Sequence, residues 1–334
     1  MEPLSRDEVG AALEPIQPDL ERVEKIMVEV SAGATSFLTE FTTYLTKAGG
    51  KRLRPALTVL ASHMGNGPNP SVDVTAAAIE MVHLATLYHD DVIDEADLRR
   101  GVPSANKTWG NKVAILAGDY LFARASKISS EVGGEVPGVL ADAIAAVVAG
   151  QISELESAYD PRRSTDAYLT TIGGKTAALL EACTHLGTAL GGCDPTTVEA
   201  MTRFGTVFGM EFQVADDLLD ISATSEELGK PPGTDLRDGV YTLPIIYAAE
   251  QQPSLMGMLG TPDIDVDEIR DITVSTGAFS RARETAVQYM HEALGILDQV
   301  PTGQARDILE RLTRLVIDRV PDPKNHGNGG LRTR

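Results

Sequence analysis

The sequence predicts an all-α protein. Apolar residues recur at helical spacing along nearly the whole chain, and no stretch alternates convincingly with the period of two that a strand needs. Aromatics make up only 5% of the 334 residues, so Ala, Leu, Val, Ile and Met must fill the core; at 43%, hydrophobic residues suffice for a sizeable one. No linker divides the chain. Residues 1–320 therefore read as a single domain, and 321–334, with Asn, Gly and Arg and little apolar content, as a disordered tail.

Pro3, Pro15 and Pro18 crowd the first twenty residues, so the first ordered helix is expected from about Asp19, through Leu20, Val23, Ile26, Met27 and Val30. Residues 35–47 repeat Leu38, Phe41 and Leu45 at helical spacing. Gly49 and Gly50 interrupt that run, and Pro55 suits the first turn of the next helix. Lys51, Arg52 and Arg54 stand at this helix entrance, where first-turn N–H groups also favour an anion. A solvated basic turn is the plainer alternative. Residues 72–94 are apolar on nearly every face, as in a central buried helix. His83 within it, taken singly, reads more readily as a hydrogen-bonded core histidine than as a ligand contact. The chain then leaves through Asp97-Leu98-Arg99-Arg100-Gly101-Val102-Pro103, a turn with two more cations.

Segments 112–132, 137–159 and 165–190 again read as helices. Ala143, Ala145, Ala146 and Ala149 in the second allow neighbouring helices to come close. Gly173 and Gly174 inside the third would cost about 2 kcal/mol relative to alanine and point to a kink or a close backbone approach. The following Lys175-Thr176 does not make a P-loop, because the GxxxxGK spacing is absent. Helix 196–221, a Gly/Pro-rich loop at 229–236 and amphipathic helices at 278–297 and 305–320 complete the domain.

A net charge of −19 argues against nucleic acid or an anionic membrane as partner. No apolar run reaches about 18 residues, so no transmembrane helix is expected. The acidic start, Met1-Glu2-Pro3-Leu4, lacks the features of a signal peptide. Cys183 and Cys193 form neither a CxxC pair nor a zinc set; they leave a disulfide open, while two thiols in so long a chain fit a reducing cytoplasm.

The chemistry lies in two acidic clusters, Asp90-Asp91-x-x-Asp94 and Asp216-Asp217-x-x-Asp220, each following an apolar helical run. Crowded carboxylates suit a hard cation, and Mg²⁺ characteristically takes one or two of them, keeps waters and binds substrate phosphate. Lys51, Arg52, Arg54, Arg99, Arg100, Lys175 and Lys230 would meet the remaining phosphate charge. That reconciles an acidic protein with anionic ligands.

From about Gly49 to Pro244 the chain resembles the trans-isoprenyl diphosphate synthases, the polyprenyl synthetase family. The motifs are Gly-Gly-Lys51-Arg52-Leu-Arg54-Pro, His83, the first acidic cluster with Arg99-Arg100-Gly101, Lys175-Thr176, Phe212-Gln213 with the second cluster, and Gly229-Lys230-Pro231. The resemblance implies the isoprenoid synthase fold, a helical bundle around a central apolar cavity, and a homodimer. It implies that Lys51, Arg54, His83 and Arg100 bind isopentenyl diphosphate. Asp90 and Asp94 would hold Mg²⁺ on the allylic diphosphate (dimethylallyl, geranyl, farnesyl or geranylgeranyl), and Asp216 a further ion. Arg99, Lys175, Thr176, Gln213, Asp216 and Lys230 would contact that allylic substrate. One departure is Val240, which stands where the family often has lysine before Thr-Leu-Pro and supplies no cation.

In this family the residues four and five before the first motif help set product length. Here they are Thr86 and Ala85, both small, which favours six or more isoprene units, with geranylgeranyl as the alternative. On a helical wheel Thr86 falls on the Asp90 side and Ala85 farther round. A terpene cyclase would not need Lys51, Arg52 and Arg54 or a second complete acidic motif. A non-catalytic partner subunit would be expected to lose acidic motifs, and both are intact here.

Overall fold

A computed structural model of the chain describes Leu4 and residues 6–222, 233–261 and 264–321. Lys230 and the expected tail beyond Pro321 lie outside the described residues. In order, the helices are α1 (Arg6–Leu13), α2 (Gln17–Ser31), α3 (Ser36–Thr42), α4 (Tyr44–Lys47), α5 (Leu53–Ser62), α6 (Pro70–Ile93), α7 (Ala105–Trp109), α8 (Asn111–Val132) and α9 (Val136–Glu156). There follow α10 (Thr165–Ile172), α11 (Ala178–Leu190), α12 (Pro195–Ser222), α13 (Thr234–Arg237), α14 (Leu243–Gln251), α15 (Val266–Ser275), α16 (Ala278–Leu297) and α17 (Gln304–Asp318). The all-α expectation holds.

Two local expectations are corrected. Despite its prolines the N-terminal stretch already forms α1, and α2 begins at Gln17 with Pro18 in its first turn, where a missing N–H costs nothing. The turn after the first acidic cluster is a hairpin, β1 (Leu98–Arg99) against β2 (Val102–Pro103), with Leu98 opposite Pro103. Its two-residue loop, Arg100-Gly101, has φ of 54° and 78°, the left-handed pair that closes tight hairpins. Among the described residues, α9 alone is long and apolar enough to cross a bilayer by length and composition. Val148, Ile152 and Leu155 are about half exposed along it.

The long helix α6 is central. Asn69 caps it by accepting from the N–H groups of Ser71 and Val72, and Pro70 opens the first turn. From Ala76 to Ala85, and again at Tyr88, its apolar side chains are sealed from solvent, packed mainly against α8, α5 and α2. The α8 crossing needs Gly118: a Cβ there would sit 2.3 Å from the His89 ring and 3.0 Å from the Ala85 carbonyl. On the other side α11 lies between α5 and α12, and α12 packs on α16.

The Gly173-Gly174 pair does mark a break. Residues Gly173–Ala177 form one turn of π-helix between α10 and α11. The reason is a close crossing with α9, where a Cβ on Gly150 would lie 2.4 Å from the Lys175 nitrogen. The wider turn sets Lys175 against α9, where its Nζ meets Glu154.

One core residue has no structural compensation. Glu211 of α12 is fully buried and neither carboxylate oxygen has a hydrogen-bond partner. Burial pushes its pKa well above the usual glutamate value. Because the folded-state pKa is raised, this group favours the fold below the ordinary glutamate pKa, and that contribution is lost as pH rises towards and through the folded value. Glu211→Met should therefore raise the melting temperature at pH 8 by a few degrees, on the order of 1–3 kcal/mol for removing an unmet buried polar group, with a smaller gain at pH 5. Thermal melts of both proteins at the two pH values measure this; an equal shift at both would sink the account.

Candidate active site

A cavity of about 470 Å³ opens where the α5 entrance, α6, the hairpin and α12 meet. Gly50 to Arg54 line one side, Glu80, His83 and Leu87 of α6 another, Leu98, Arg99 and Arg100 the rim, and Phe212 and Asp216 of α12 the far wall. On α6 and its C-cap, Glu80, His83, Leu87, Asp90 and Asp94 recur every three or four residues and so form one stripe.

The first acidic cluster divides by burial. Asp90 is half-buried and Asp94 exposed, both on the cavity stripe. Asp91 is fully buried and accepts from Arg99 Nε at 2.6 Å. This pair ties the hairpin to the end of α6 and thereby sets Arg99 at the rim. Burial, with Asp94 adding to it, pushes the Asp90 carboxyl up to about 6, while Lys175 and Arg99 oppose the rise.

The basic side is also divided. Arg52 takes a left-handed backbone (φ 51°) ahead of α5 and is committed to structure. It donates to Glu80 at 3.1 Å, Glu24 at 3.0 Å and the Thr46 carbonyl at 2.8 Å, fastening the loop to α6 and α2. It lines the cavity but its donors face these partners, which departs from its expected role as a substrate contact. Arg100 folds over the same loop, donating to the carbonyls of Leu45 (3.0 Å) and Gly49. A Cβ on Gly50 would meet its guanidinium at 3.0 Å, so glycine there leaves the arginine its place. Burial, and then the surrounding Arg54, Arg100, Arg99 and Arg52, push the His83 pKa well below its ordinary value. His83 is thus a neutral hydrogen-bonding group among cations.

Opposite, the π-turn presents Lys175, whose Nζ lies 2.5 Å from Glu154 of α9. Burial works against its charge, but Glu154, Asp90 and Asp94 outweigh burial and raise its pKa. Thr176 donates to Gln213 Oε1 at 2.6 Å, and Gln213 donates to Asp217 Oδ1 at 2.8 Å. Asp217 is buried; burial pushes it up to about 7 despite the hydrogen bonds it accepts from Tyr168 and Gln213. Asp220 is buried too and accepts from the Asp235 N–H at 3.3 Å, anchoring the return of the chain into α13. Of the second motif, Asp216 is the member that lines the cavity. Among the described residues, no three His, Cys, Asp or Glu side chains converge closely enough to hold a metal ion by themselves.

Ala85 is fully buried near the α8 crossing, and Thr86 is half-buried with its hydroxyl donating to the His83 carbonyl at 2.8 Å. Val240 is half-buried, and its N–H donates to the Asp235 carbonyl at 2.8 Å. Sequence reasoning passed over Glu80, Glu154 and Tyr168. Glu80 had a signal, since a glutamate inside an otherwise apolar helix is buried only when paired. Glu154 and Tyr168 had none: their partners are 21 and 49 residues away.

Comparisons with known proteins agree with this architecture. The family described as Polyprenyl synthetase matches residues 35–275. The nonaprenyl diphosphate synthase of Mycobacterium tuberculosis is 40% identical over 312 residues, covering 91% of this chain and 93% of its own. The crystal structure of a decaprenyl diphosphate synthase from Rhodobacter capsulatus superposes with a TM-score of 0.88 at 34% identity, covering 95% of this chain and all of its own. A polyprenyl synthase from Caulobacter crescentus, complexed with calcium and isoprenyl diphosphate, gives 0.88 at 31% identity over 96% of this chain and 100% of its own. The chain belongs to the polyprenyl synthetase family, has its all-α isoprenoid synthase fold, and is a trans-prenyltransferase of the polyprenyl diphosphate synthase kind.

Proposed function

We propose that this enzyme adds isopentenyl diphosphate repeatedly to an allylic diphosphate, with Mg²⁺, to make a medium or long polyprenyl diphosphate in trans condensations. The family acts on these two substrate classes with a divalent metal. What carries the reading here is one cavity lined by cations, a neutral histidine and Asp216, with Asp90 and Asp94 further along the same α6 stripe and near enough to Lys175 to raise its pKa.

The acidic residues fit a cation that is only partly protein-bound. Asp90 and Asp94 share a stripe, Asp216 of α12 lines the cavity, and among the described residues no three His, Cys, Asp or Glu side chains close a full site. Mg²⁺ has that habit, completing its shell with water and phosphate oxygens. When bound, it would neutralise charge building on the leaving diphosphate. Lys175, Thr176 and Gln213, with Arg99 at the rim, would hold the allylic diphosphate, and Lys51, Arg54, Arg100 and neutral His83 the isopentenyl one. Lys230 belongs with the allylic group by resemblance. Every 1.36 kcal/mol or so by which these groups favour the separated diphosphate over the intact ester gives about tenfold in rate. The isopentenyl double bond then attacks the allylic carbon, and the proton it releases passes to the departed diphosphate. Leu87 and Phe212 help keep water from the cation.

Small Ala85 and Thr86 below the first motif, and the nonaprenyl and decaprenyl relatives, support a long product; geranylgeranyl is the alternative. Ala85→Phe should shorten the product chains. Ala85 is sealed in the core, so overpacking of roughly 1–3 kcal/mol accompanies the change. Unchanged chain length on thin-layer chromatography, from a protein that still melts cooperatively, would remove Ala85 from the tunnel.

A homodimer accounts for the apolar face shared by α8 and α9. Ile115 and Leu116 of α8 (42% and 61% exposed) and Val148, Ile152 and Leu155 of α9 are exposed apolar side chains on two helices that pack together. Leu116→Glu should shift the protein to monomer in sedimentation; an unaltered mass would place the contact elsewhere. The thiols Cys183 and Cys193 are both free, in keeping with a cytoplasmic location. The test of the whole reading is incubation with farnesyl diphosphate, isopentenyl diphosphate and Mg²⁺. Chain elongation supports it, a cyclic hydrocarbon would make the protein a cyclase, and silence would make it a subunit needing a partner.

A further inference from the structure

Asp217 sits directly beside Asp216 yet faces inward, and both its oxygens are occupied. Tyr168 donates to Oδ2 at 2.5 Å and Gln213 to Oδ1 at 2.8 Å. Tyr168 is 1% exposed, so solvent cannot replace its hydroxyl. Because the Gln213 amide nitrogen is committed to Asp217, its oxygen is turned towards Thr176, which donates to it at 2.6 Å. The orientation of that amide is therefore set from behind, by Asp217.

Tyr168 is itself held. Arg163, 7% exposed, places its guanidinium carbon 5.7 Å from the centre of the Tyr168 ring. Its Nη1 donates to the Tyr241 carbonyl at 3.2 Å, while Nε and Nη2 have no hydrogen-bond partner. A buried cation with two idle donors is unfavourable for packing alone. The charges of Glu154 and Asp217 favour the guanidinium. The segment that follows α9 is fastened to the Val240 region at a second point, where the Tyr159 N–H donates to the Gly239 carbonyl at 2.9 Å.

We infer that Tyr168, backed by Arg163, is a positioning residue for the allylic diphosphate end of the site: it holds Asp217 inward, so that Asp216 alone of the second motif faces the cavity and the Gln213 amide keeps one orientation. The inference rests on the roles proposed above for Asp216, Gln213 and Thr176. Without the hydroxyl, Asp217 Oδ2 loses its donor inside the protein. The carboxylate then turns and releases the Gln213 amide. The groups proposed for isopentenyl diphosphate come from α5, α6 and the hairpin, and do not share this network.

The test uses the full chain and its Tyr168→Phe, Arg163→Met and Arg163→Lys variants. Tyr168→Phe should raise KM for farnesyl diphosphate about tenfold, the usual scale for a hydrogen bond to a charged group, and weaken binding of inorganic diphosphate with Mg²⁺ in calorimetry. KM for isopentenyl diphosphate should stay within about twofold. Arg163→Met should act in the same direction, and Arg163→Lys more mildly because the charge remains. Equal increases in both KM values, or a lower melting temperature with unchanged kinetics, would reduce Tyr168 to a structural prop and overturn the inference. Elongation by the parent protein with an unaffected Tyr168→Phe variant overturns the inference alone. No elongation by the parent protein removes the functional reading and the inference together.

Discussion

Asp90→Asn should leave the protein folded and reduce turnover by about 10²–10³, the scale for losing one group that stabilises transition-state charge. Asp90 is half-buried on the cavity stripe of α6, and burial already pushes its carboxyl up to about 6. Asparagine matches it in shape and removes a charge that the fold itself disfavours, so the melting temperature should hold or rise. The kinetic signature is a fall in kcat with a higher Mg²⁺ requirement, measured by radiolabelled isopentenyl incorporation across a Mg²⁺ titration. If turnover survives within about tenfold, Asp90 is not a metal-side residue.

Asp91→Ala, one residue on, should fail differently. Asp91 is fully buried and pairs with Arg99 at 2.6 Å, and the pair fastens the hairpin to the end of α6. Removing one member of a buried pair strands the other; Arg99 is 28% exposed and recovers some hydration, so the expected loss is roughly 2–4 kcal/mol. Arg99 and Arg100 would then lose their fixed place at the rim, and KM should rise for both diphosphates. Denaturant melts and steady-state kinetics on the same preparation measure the two effects. Full stability with lost activity would move Asp91 to the metal side and contradict its placement.

These two variants separate what a motif states from what a fold does with it. The spacing of Asp90, Asp91 and Asp94 put carboxylates at one helix end, and the helical period already placed Asp90 and Asp94 near one another. It could not say that Asp91 turns into protein, because the partner that takes it there, Arg99, sits on a hairpin whose geometry depends on a positive-φ turn at Arg100 and Gly101. Arg52 shows the same limit. Its neighbours in sequence suggested a phosphate contact, but Glu80 and Glu24 lie across the bundle and take its donors.

The helices themselves were legible because apolar spacing is a local property of the chain. So was the break at Gly173-Gly174, although its cause, the crossing with Gly150 of α9, was not. By itself the sequence determined the all-α class, the two acidic helix ends and the basic helix entrance, since each follows from residue type and period alone. Tertiary structure decided which charges face the cavity and which are spent on the fold. Burial and hydrogen-bond partners set that division, and both come from residues far apart in the chain, as Tyr168 against Asp217 and Glu154 against Lys175 show.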